Sequence, residues 1–433
     1  MSRPILTAAA MRAADLAAID AGTSEAELVE RAGAALASAV RRFVGPRETL
    51  VLCGPGNNGA DGRVAARHLA EAGYAVRVAT LDDLADAAPA PLLIDCLFGT
   101  GLSRGLEEPV STRLCELAEA AHLVIACDLP SGVSSDDGAL LSPVPHADLT
   151  VTFAALKPAH RLMPAMARMG RVVLADIGIT ATSDWFEIEA PALPPLDPAA
   201  HKYSRGLVHC LSGKMPGAIA LAARGAAAAG AGYVRISTSL AIDNLPSAIV
   251  QSDTAPVSDP RVGAILVGPG MGDLPQILTL ALTVARPVVI DADALRAVGE
   301  PERLVGHDAI LTPHEGEFAQ LFGALPGSKA ERALAAAKRS RSVIIFKGPD
   351  TLVASHDGRL GFAPPSPAWL ASAGTGDVLA GIIAALRARG LAAFEAACAG
   401  VWIQGRAAEI AGPQMIADDL ASAIPQALAL LDG

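Results

Sequence analysis

The first half of the chain carries three stretches whose residue types could do chemistry. Gly54–Gly62, GPGNNGADG, follows a short apolar run and leads into a helical pattern. Glycines let a backbone approach phosphate oxygens, and a helix start offers N–H groups and partial positive charge to an anion. Asn57, Asn58 and Asp61 add side-chain groups able to hold ribose hydroxyls or a cation. The spacing is not G-x-G-x-x-G, and the lysine of a P-loop is missing. The plainer reading is a tight turn with asparagines in left-handed positions. Asp95 ends a second apolar run and leads into Gly99–Gly105, GTGLSRG, while Asp128 ends a third and leads into Pro130-Ser131-Gly132. One aspartate at a strand end is usually a cap or turn residue. Three such loops at successive strand ends of one sheet point instead to a site.

The second half repeats the pattern with different chemistry. Gly374-Thr375-Gly376-Asp377 opens an Ala/Leu/Ile helix, so its N–H groups can form an anion hole for a transferring phosphoryl group. Asp377 would stand beside that hole as the base for a hydroxyl nucleophile. By itself it would be an ordinary helix-start aspartate, favoured by the macrodipole. Lys347-Gly348-Pro349-Asp350-Thr351 follows an apolar run and suits a nucleotide-facing loop. Val267–Gly272, VGPGMG, and Thr312–Glu317, TPHEGE, follow two more. Histidines are commonly buried and satisfied, but the place of His314 on the same sheet edge favours a ligand contact.

The elements that must position these residues read clearly. Thr7 is the expected N-cap of one helix, and a second covers Glu25–Phe43. Strands are expected at Thr49–Cys53, Ala75–Ala79, Leu92–Ile94, Leu123–Cys127, Leu149–Phe153 and Val172–Ala175, with helical patterns such as Arg63–Ala72 and Ser111–Ala120 between them. Strands alternating with helices imply a parallel sheet covered on both faces. The Pro-rich stretch Ala190–Pro198 interrupts the pattern, which restarts after His201. Strands follow at Leu207–Leu211, Tyr233–Ser237, Ala264–Val267, Val288–Ile290, Ala309–Leu311 and Val343–Phe346. A hairpin turning at Asp357-Gly358 joins Thr351–Ser355 to Arg359–Ala363, and three helices close the chain. Residues 1–195 and 200–433 are therefore expected as two domains, divided near Pro195–Ala200.

Composition narrows the function. Hydrophobic residues make up 52% and aromatics only 3%, so the cores must be built from Ala, Val, Leu and Ile. The net charge of -11 argues against a nucleic-acid or anionic-membrane binder, which needs clustered Lys and Arg. Six scattered cysteines form no C-x-x-C pair and suit reduced, buried thiols of the cytoplasm. Arg12 and Asp15 break the apolar stretch that a signal peptide requires. The longest uncharged run, Leu360–Gly376, is too rich in Pro and Gly for a membrane span. Ala-rich helices suggest a homo-oligomer.

The loops GPGNNGADG, DCLFGTGLSRG and DLPSG, in this order behind a helix pair, resemble the NAD(P)H-hydrate epimerase domain, a Rossmann-like three-layer α/β/α fold. That resemblance implies a hydrated-dinucleotide site at Asn57, Asn58, Gly59, Ala60 and Asp61 and at Gly99, Thr100, Gly101, Leu102, Ser103, Arg104 and Gly105. It implies Asp128 as the acid/base carboxylate and a potassium ion at Asn58, Asp95 and Ser131. Ala60 stands where the family usually has Gly. Epimerising the hydrated carbon means loss and return of a hydroxyl, or ring opening and closing. Either route needs a proton shuttle beside a carbon that becomes cationic.

HKYSRG (201–206), PGAIALAARGAAAAGAG (216–232), VGPGMG, DADAL (291–295), TPHEGEF, KGPDT and AGTGDVLAGI (373–382) resemble the ribokinase-like superfamily. Within it they are similar to the ADP/ATP-dependent NAD(P)H-hydrate dehydratases. The resemblance implies a second three-layer α/β/α domain with Ala218, Gly270, Gly272, His314 and Asp377 around the hydrate. Lys347, Gly348, Pro349, Asp350, Thr351, Gly374, Thr375 and Gly376 would face the nucleotide, with Mg²⁺ on its phosphates and ADP the first-choice donor. Lys214 departs from the family, which often has glycine there. Implied substrates are the hydrates of NADH and NADPH. Two other readings remain: a vitamin or sugar kinase, and a non-catalytic front half like that of RNA-decapping scaffold proteins.

Overall fold

The computed structural model describes residues 3–195, 197–253 and 256–431; Leu196, inside the expected linker, lies outside them. Contacts divide the chain into two compact units between Phe186 and Glu187. This division precedes the Pro-rich stretch because the chain joins the second unit early: the Ile188 N–H donates to the Phe362 carbonyl at 2.8 Å.

The first unit begins with helices α1 (Ala8–Asp20) and α2 (Glu25–Phe43). Thr7 caps α1 by accepting from the Ala10 N–H, and Ser24 caps α2 by accepting from the Glu27 N–H. Then come β1 (Glu48–Cys53), α3 (Asn57–Glu71), β2 (Ala75–Thr80), β3 (Leu92–Cys96), α4 (Glu108–Ala120), β4 (Leu123–Cys127), β5 (Leu149–Phe153) and β6 (Arg171–Ala175). The sheet order is β2-β1-β3-β4-β5-β6, with every pairing parallel. Alternating residues of β1 show why it is covered twice. Val51 and Cys53 pack with Leu36, Val40 and Leu69 of α2 and α3, whereas Leu50 and Leu52 pack with Leu114 and Leu117 of α4. Fully burying one such side chain contributes roughly 1.5–3 kcal/mol.

One expectation is revised. The sequence suggests a Gly/Asn loop followed by a helix from Arg63, but α3 starts at Asn57, so most of the motif is its first two turns. Glycine and asparagine have poor helix propensity, and tertiary packing overrides it. A Cβ on Gly59 would lie 1.9 Å from the Gly54 carbonyl oxygen, and one on Gly62 would lie 2.8 Å from the Cys96 sulfur.

A short strand, β7 (Trp185–Glu187), spans the division. The second unit contains β8 (Leu207–Leu211), α5 (Pro216–Ala228), β9 (Tyr233–Ser237), β10 (Ile249–Ser252), β11 (Val262–Val267), α6 (Pro275–Ala281), β12 (Val288–Ile290) and α7 (Asp293–Val298). It continues with β13 (Ala309–Leu311), α8 (Glu315–Phe322), α9 (Lys329–Ser340), β14 (Val343–Phe346), β15 (Leu352–Ala354) and β16 (Leu360–Phe362). The closing helices are α10 (Thr375–Ala388), α11 (Ala393–Ala411) and α12 (Ala417–Ala429). Its sheet runs β10-β9-β8-β11-β12-β13-β14-β15-β16, parallel up to β14 and antiparallel through the expected hairpin. Helices α5 and α10 approach closely because position 381 is glycine: a Cβ there would lie 1.9 Å from the Ala222 carbonyl oxygen. Among the described residues no helix is long and apolar enough to cross a membrane.

Candidate functional sites

In the first unit, loops leaving β1, β3 and β4 converge on a cavity of about 640 Å³. Asn57, Asn58, Asp61, Gly99, Thr100, Gly101, Leu102 and Asp128 line it, joined by residues of α1 and α2. Ser103, Arg104 and Gly105 are not among the lining residues. Gly59 is packed on the backbone of Gly54. Ala60 is helical, its N–H donating to the Gly56 carbonyl at 3.1 Å, and it is absent from the residues of positive φ. Its methyl therefore carries no backbone strain.

Asp128 sits at the centre of a network. Its φ of 64° is rare for a non-glycine residue and turns its side chain out of the strand direction. One carboxylate oxygen, Oδ1, accepts from Lys157 Nζ at 2.7 Å and Thr152 Oγ1 at 2.9 Å. The other, Oδ2, accepts from the Thr100 N–H at 3.0 Å and from the Thr100 hydroxyl. Burial opposes the charge, but the Lys157 ammonium and these hydrogen bonds hold the carboxyl well below the usual carboxylate range. Lys157 is itself buried and also donates to Thr152 Oγ1 at 2.8 Å. Its backbone N–H donates to His160 Nδ1 at 2.8 Å, so the proton of the neutral ring lies on Nε2, which donates to the Asp128 carbonyl at 2.8 Å. Burial and the Lys157 charge push His160 down to about 3, which keeps that ring neutral.

Asp95 has a different task. Its Oδ1 accepts from Ser131 Oγ at 2.7 Å and the Leu97 N–H at 3.1 Å, and its Oδ2 accepts from the Ser131 N–H at 2.8 Å. Burial raises its pKa against these hydrogen bonds. The Asn58 Nδ2 is buried and has no hydrogen-bond partner among the described residues.

In the second unit, Gly374 at φ 86° turns the chain into α10, whose first turn carries Asp377. Lys347, after β14, donates to Asp291 Oδ1 at 2.9 Å and lies 4.0 Å from Glu317 Oε2. Its Nζ would sit 3.3 Å from a Cβ on Gly376, which brings the ammonium to the start of α10. Burial opposes its charge, while Asp291, Glu317 and Asp377 raise its pKa. Asp291 is buried and accepts from Thr312 Oγ1 at 2.6 Å. Asp377 is pushed up to about 7 by burial and by the charge of Asp291, with Lys347 opposing.

The remaining candidates divide. Gly268, Gly270 and Gly272 have positive φ, and the Gly272 N–H donates to Asp293 Oδ2 at 2.8 Å. Ala218 lies in the first turn of α5. His314 is the N-cap of α8, its Nδ1 accepting from the Gly316 N–H at 3.0 Å, with the ring more than half exposed. Thr351 closes a turn by donating to the Gly348 carbonyl at 2.7 Å. Asp350 is paired with Lys329, and exposed Lys214 with Asp273. Sequence reasoning missed Lys157 and Asp291. The signal for Lys157 was a single cation ending the uncharged stretch Leu149–Leu156; for Asp291, it was an aspartate directly after a strand, like Asp95 and Asp128.

Among the described residues, no three His, Cys, Asp or Glu side chains converge as a metal cage. Asp95 and Ser131 are buried and hydrogen-bonded to each other, and oxygen donors of this kind suit a hard cation rather than zinc.

Residues 208–428 match the family described as NAD(P)H-hydrate dehydratase. Residues 25–90 and 81–159 match the YjeF-related protein N-terminus. The bifunctional NAD(P)H-hydrate repair enzyme Nnr of Salinibacter ruber is 34% identical, with 98% of this chain and 96% of that protein covered. Its counterpart in Mycobacterium tuberculosis is 35% identical, over 89% of each chain. A ribokinase-like superfamily protein from Enterococcus faecalis matches 58% of this chain and 98% of its own at TM-score 0.51 and 19% identity, which shows the fold of the second unit. With both motif sets in order along one chain and relatives matched nearly end to end, the protein belongs to the bifunctional NAD(P)H-hydrate repair enzymes.

Proposed function

We propose that the first unit interconverts the R and S hydrates of NADH and NADPH, and that the second returns the S hydrate to the dinucleotide at the expense of ADP or ATP. Water is a poor leaving group near neutral pH. Phosphorylating the hydroxyl makes elimination easy, which gives a kinase fold a place in a dehydratase. The products would be the dihydronicotinamide, inorganic phosphate, and AMP or ADP. A stereospecific dehydratase uses one epimer, so an attached epimerase returns the other to the usable pool.

The observation that carries this reading is Asp377, poised near 7 at the start of a helix with a lysine ammonium beside it. A base with a pKa near the working pH can take a hydroxyl proton efficiently. The N–H groups of Gly374, Thr375 and Gly376 would stabilise the charge on the transferring group. Lys347 would hold the donor's phosphates, with Gly348, Pro349, Asp350 and Thr351 shaping the loop. Ala218, Gly270, Gly272 and His314 would border the hydrate. Mg²⁺ binds through one or two carboxylates plus substrate phosphates, so Glu317 and Asp293 suit an ion arriving with the nucleotide. Bound there, it would neutralise phosphate charge.

In the first unit Asp128 would act as the proton-transfer carboxylate, held ionised and oriented by Lys157. Asn57 to Asp61 and Gly99 to Gly105 would embrace the dinucleotide. A potassium ion at Asn58, Asp95 and Ser131 would offset the charge of the buried Asp95 carboxylate. Six free thiols suit a reducing cytoplasm, and a homo-oligomer remains our expectation.

The test gives the protein mixed R and S hydrates with Mg²⁺ and K⁺, and follows dihydronicotinamide absorbance with ADP, ATP or neither. Full recovery with phosphate release, only with nucleotide, is expected. Recovery of one epimer alone removes the epimerase. A stable phosphorylated product would mark a small-molecule kinase instead.

A further inference from the structure

We propose that Asp61 is a second catalytic carboxyl of the first unit: it protonates the hydroxyl leaving the hydrated nicotinamide carbon while Asp128 takes a proton from the water that returns. This rests on reading the unit as an epimerase. Asp61 is 8% exposed and lines the same cavity as Asp128, which it approaches from α3 rather than from the end of β4. Asp95 and Asp128 each accept several hydrogen bonds, whereas among the described residues nothing donates to the Asp61 carboxyl. A buried carboxyl without donor or paired cation favours its neutral form, which carries a proton to give.

The surrounding charges agree. Asp15 and Arg12 reach the cavity from α1, Glu25 from α2, Asp128 after β4 and Lys157 after β5. The Cys127 thiol feels the Asp61 charge from β4. Burial, then Asp128 and Asp15, push Asp61 up to about 8, with Lys157 opposing. Lys157 is committed to Asp128 by its hydrogen bond. Two carboxyls in one cavity are thus driven apart, one ionised and one protonated near neutral pH, which is the arrangement that assigns an acid and a base.

The step balances. The C–O bond breaks with its electron pair on oxygen, which takes the Asp61 proton and departs as water. The ring nitrogen's lone pair forms a C=N bond, leaving a cation. Water adds to the other face, its oxygen forming the new C–O bond and its proton passing to Asp128. The C=N electrons return to nitrogen. Asp61 ends ionised and Asp128 protonated, so the reverse reaction exchanges their roles, and proton exchange with solvent restores the starting state.

The experiment follows R-to-S conversion without nucleotide for the full chain, Asp61→Asn and Asp61→Glu. We expect kcat of Asp61→Asn to fall about 10²–10⁴-fold with KM within a few-fold, which also shows that the site still folds. The wild-type rate should decline as pH rises through about 8, where Asp61 loses its proton. That decline should vanish in Asp61→Asn and return in part with Asp61→Glu. In water labelled with heavy oxygen, the epimerised hydroxyl should carry the label. A raised KM with unchanged kcat and pH profile would make Asp61 a binding residue and overturn the proposal. So would epimerisation without label, because the C–O bond would then stay intact. A wild-type chain that interconverts nothing would overturn the epimerase reading itself, and this inference with it.

Discussion

Asp128, buried, and Asp377, half-buried, are both carboxyls at helix or loop starts beside a largely parallel sheet, and each has a lysine nearby. Their charges are nevertheless driven in opposite directions. In the first unit the lysine touches the aspartate itself, at 2.7 Å. In the second, Lys347 touches Asp291 instead and is shared with Glu317, so Asp377 receives only a distant part of its charge. Burial is then the larger influence, and Asp291 adds repulsion. The residue types are the same; the hydrogen-bond assignment of one ammonium decides which carboxyl is a ready base and which is poised to titrate.

The strongest way to break this comparison is to remove the poised carboxyl. Dehydration should accelerate as pH rises through about 7, where Asp377 ionises and becomes able to accept a proton. Asp377→Asn should lower kcat about 10²–10⁴-fold at neutral pH and abolish that rise, with epimerisation unchanged. A variant that kept both the rate and the profile would remove Asp377 from the chemistry.

Removing the other lysine should cost stability as well as rate. Lys157→Met leaves Asp128 buried with no cation, and breaking a buried pair this way costs about 3–5 kcal/mol. Denaturant unfolding of the first unit should show that loss, and epimerisation should then appear only at higher pH, because Asp128 would hold its proton longer. Unaltered stability would mean that Lys157 is not the partner that keeps Asp128 ionised.

A smaller change tests the sharing directly. Asp291→Asn removes the carboxylate that holds Lys347 and the repulsion acting on Asp377. Both effects lower the Asp377 pKa, so the rise of the dehydration rate should move below pH 7. A midpoint that stayed in place would show that Lys347 and Asp291 do not set it.

How much of this was legible follows from the range of each interaction. The parallel strands were readable because each is a short apolar run buried on both faces, as Leu50 to Cys53 illustrate. The exposed edge strand β10 offered no such run, and Val250 and Gln251 lie on the surface. The early start of α3 was hidden because the packing of Gly59 on the Gly54 backbone and of Gly62 on Cys96 decides it, not local propensity. Asp128 and Asp377 could be named from motifs, but their opposite charge states could not. Those depend on Lys157 and Asp291, which lie 29 and 86 residues away in sequence and become neighbours only in the sheet. His314 was visible as a strand-end histidine, but only the folded chain shows it capping α8.

The least expected effect is also the most discriminating about cost. Because burial lifts the folded pKa of Asp377 above the ordinary aspartate value of 3.8, the folded state binds a proton there that the unfolded state releases. Its contribution to stability is therefore fully present below 3.8 and is lost as pH rises through about 7. Asp377→Asn should stabilise the second unit at pH 8, raising its melting temperature by about 2–4 °C for each kcal/mol gained. At acid pH, where both forms of the side chain are neutral, the gain should disappear. Asp128→Asn should do the opposite in the first unit, because its carboxyl is held low by Lys157: it should destabilise at neutral pH and much less in acid. Melting curves of the two variants across pH would thus separate an aspartate that the fold stabilises from one that it retains for chemistry at the fold's expense.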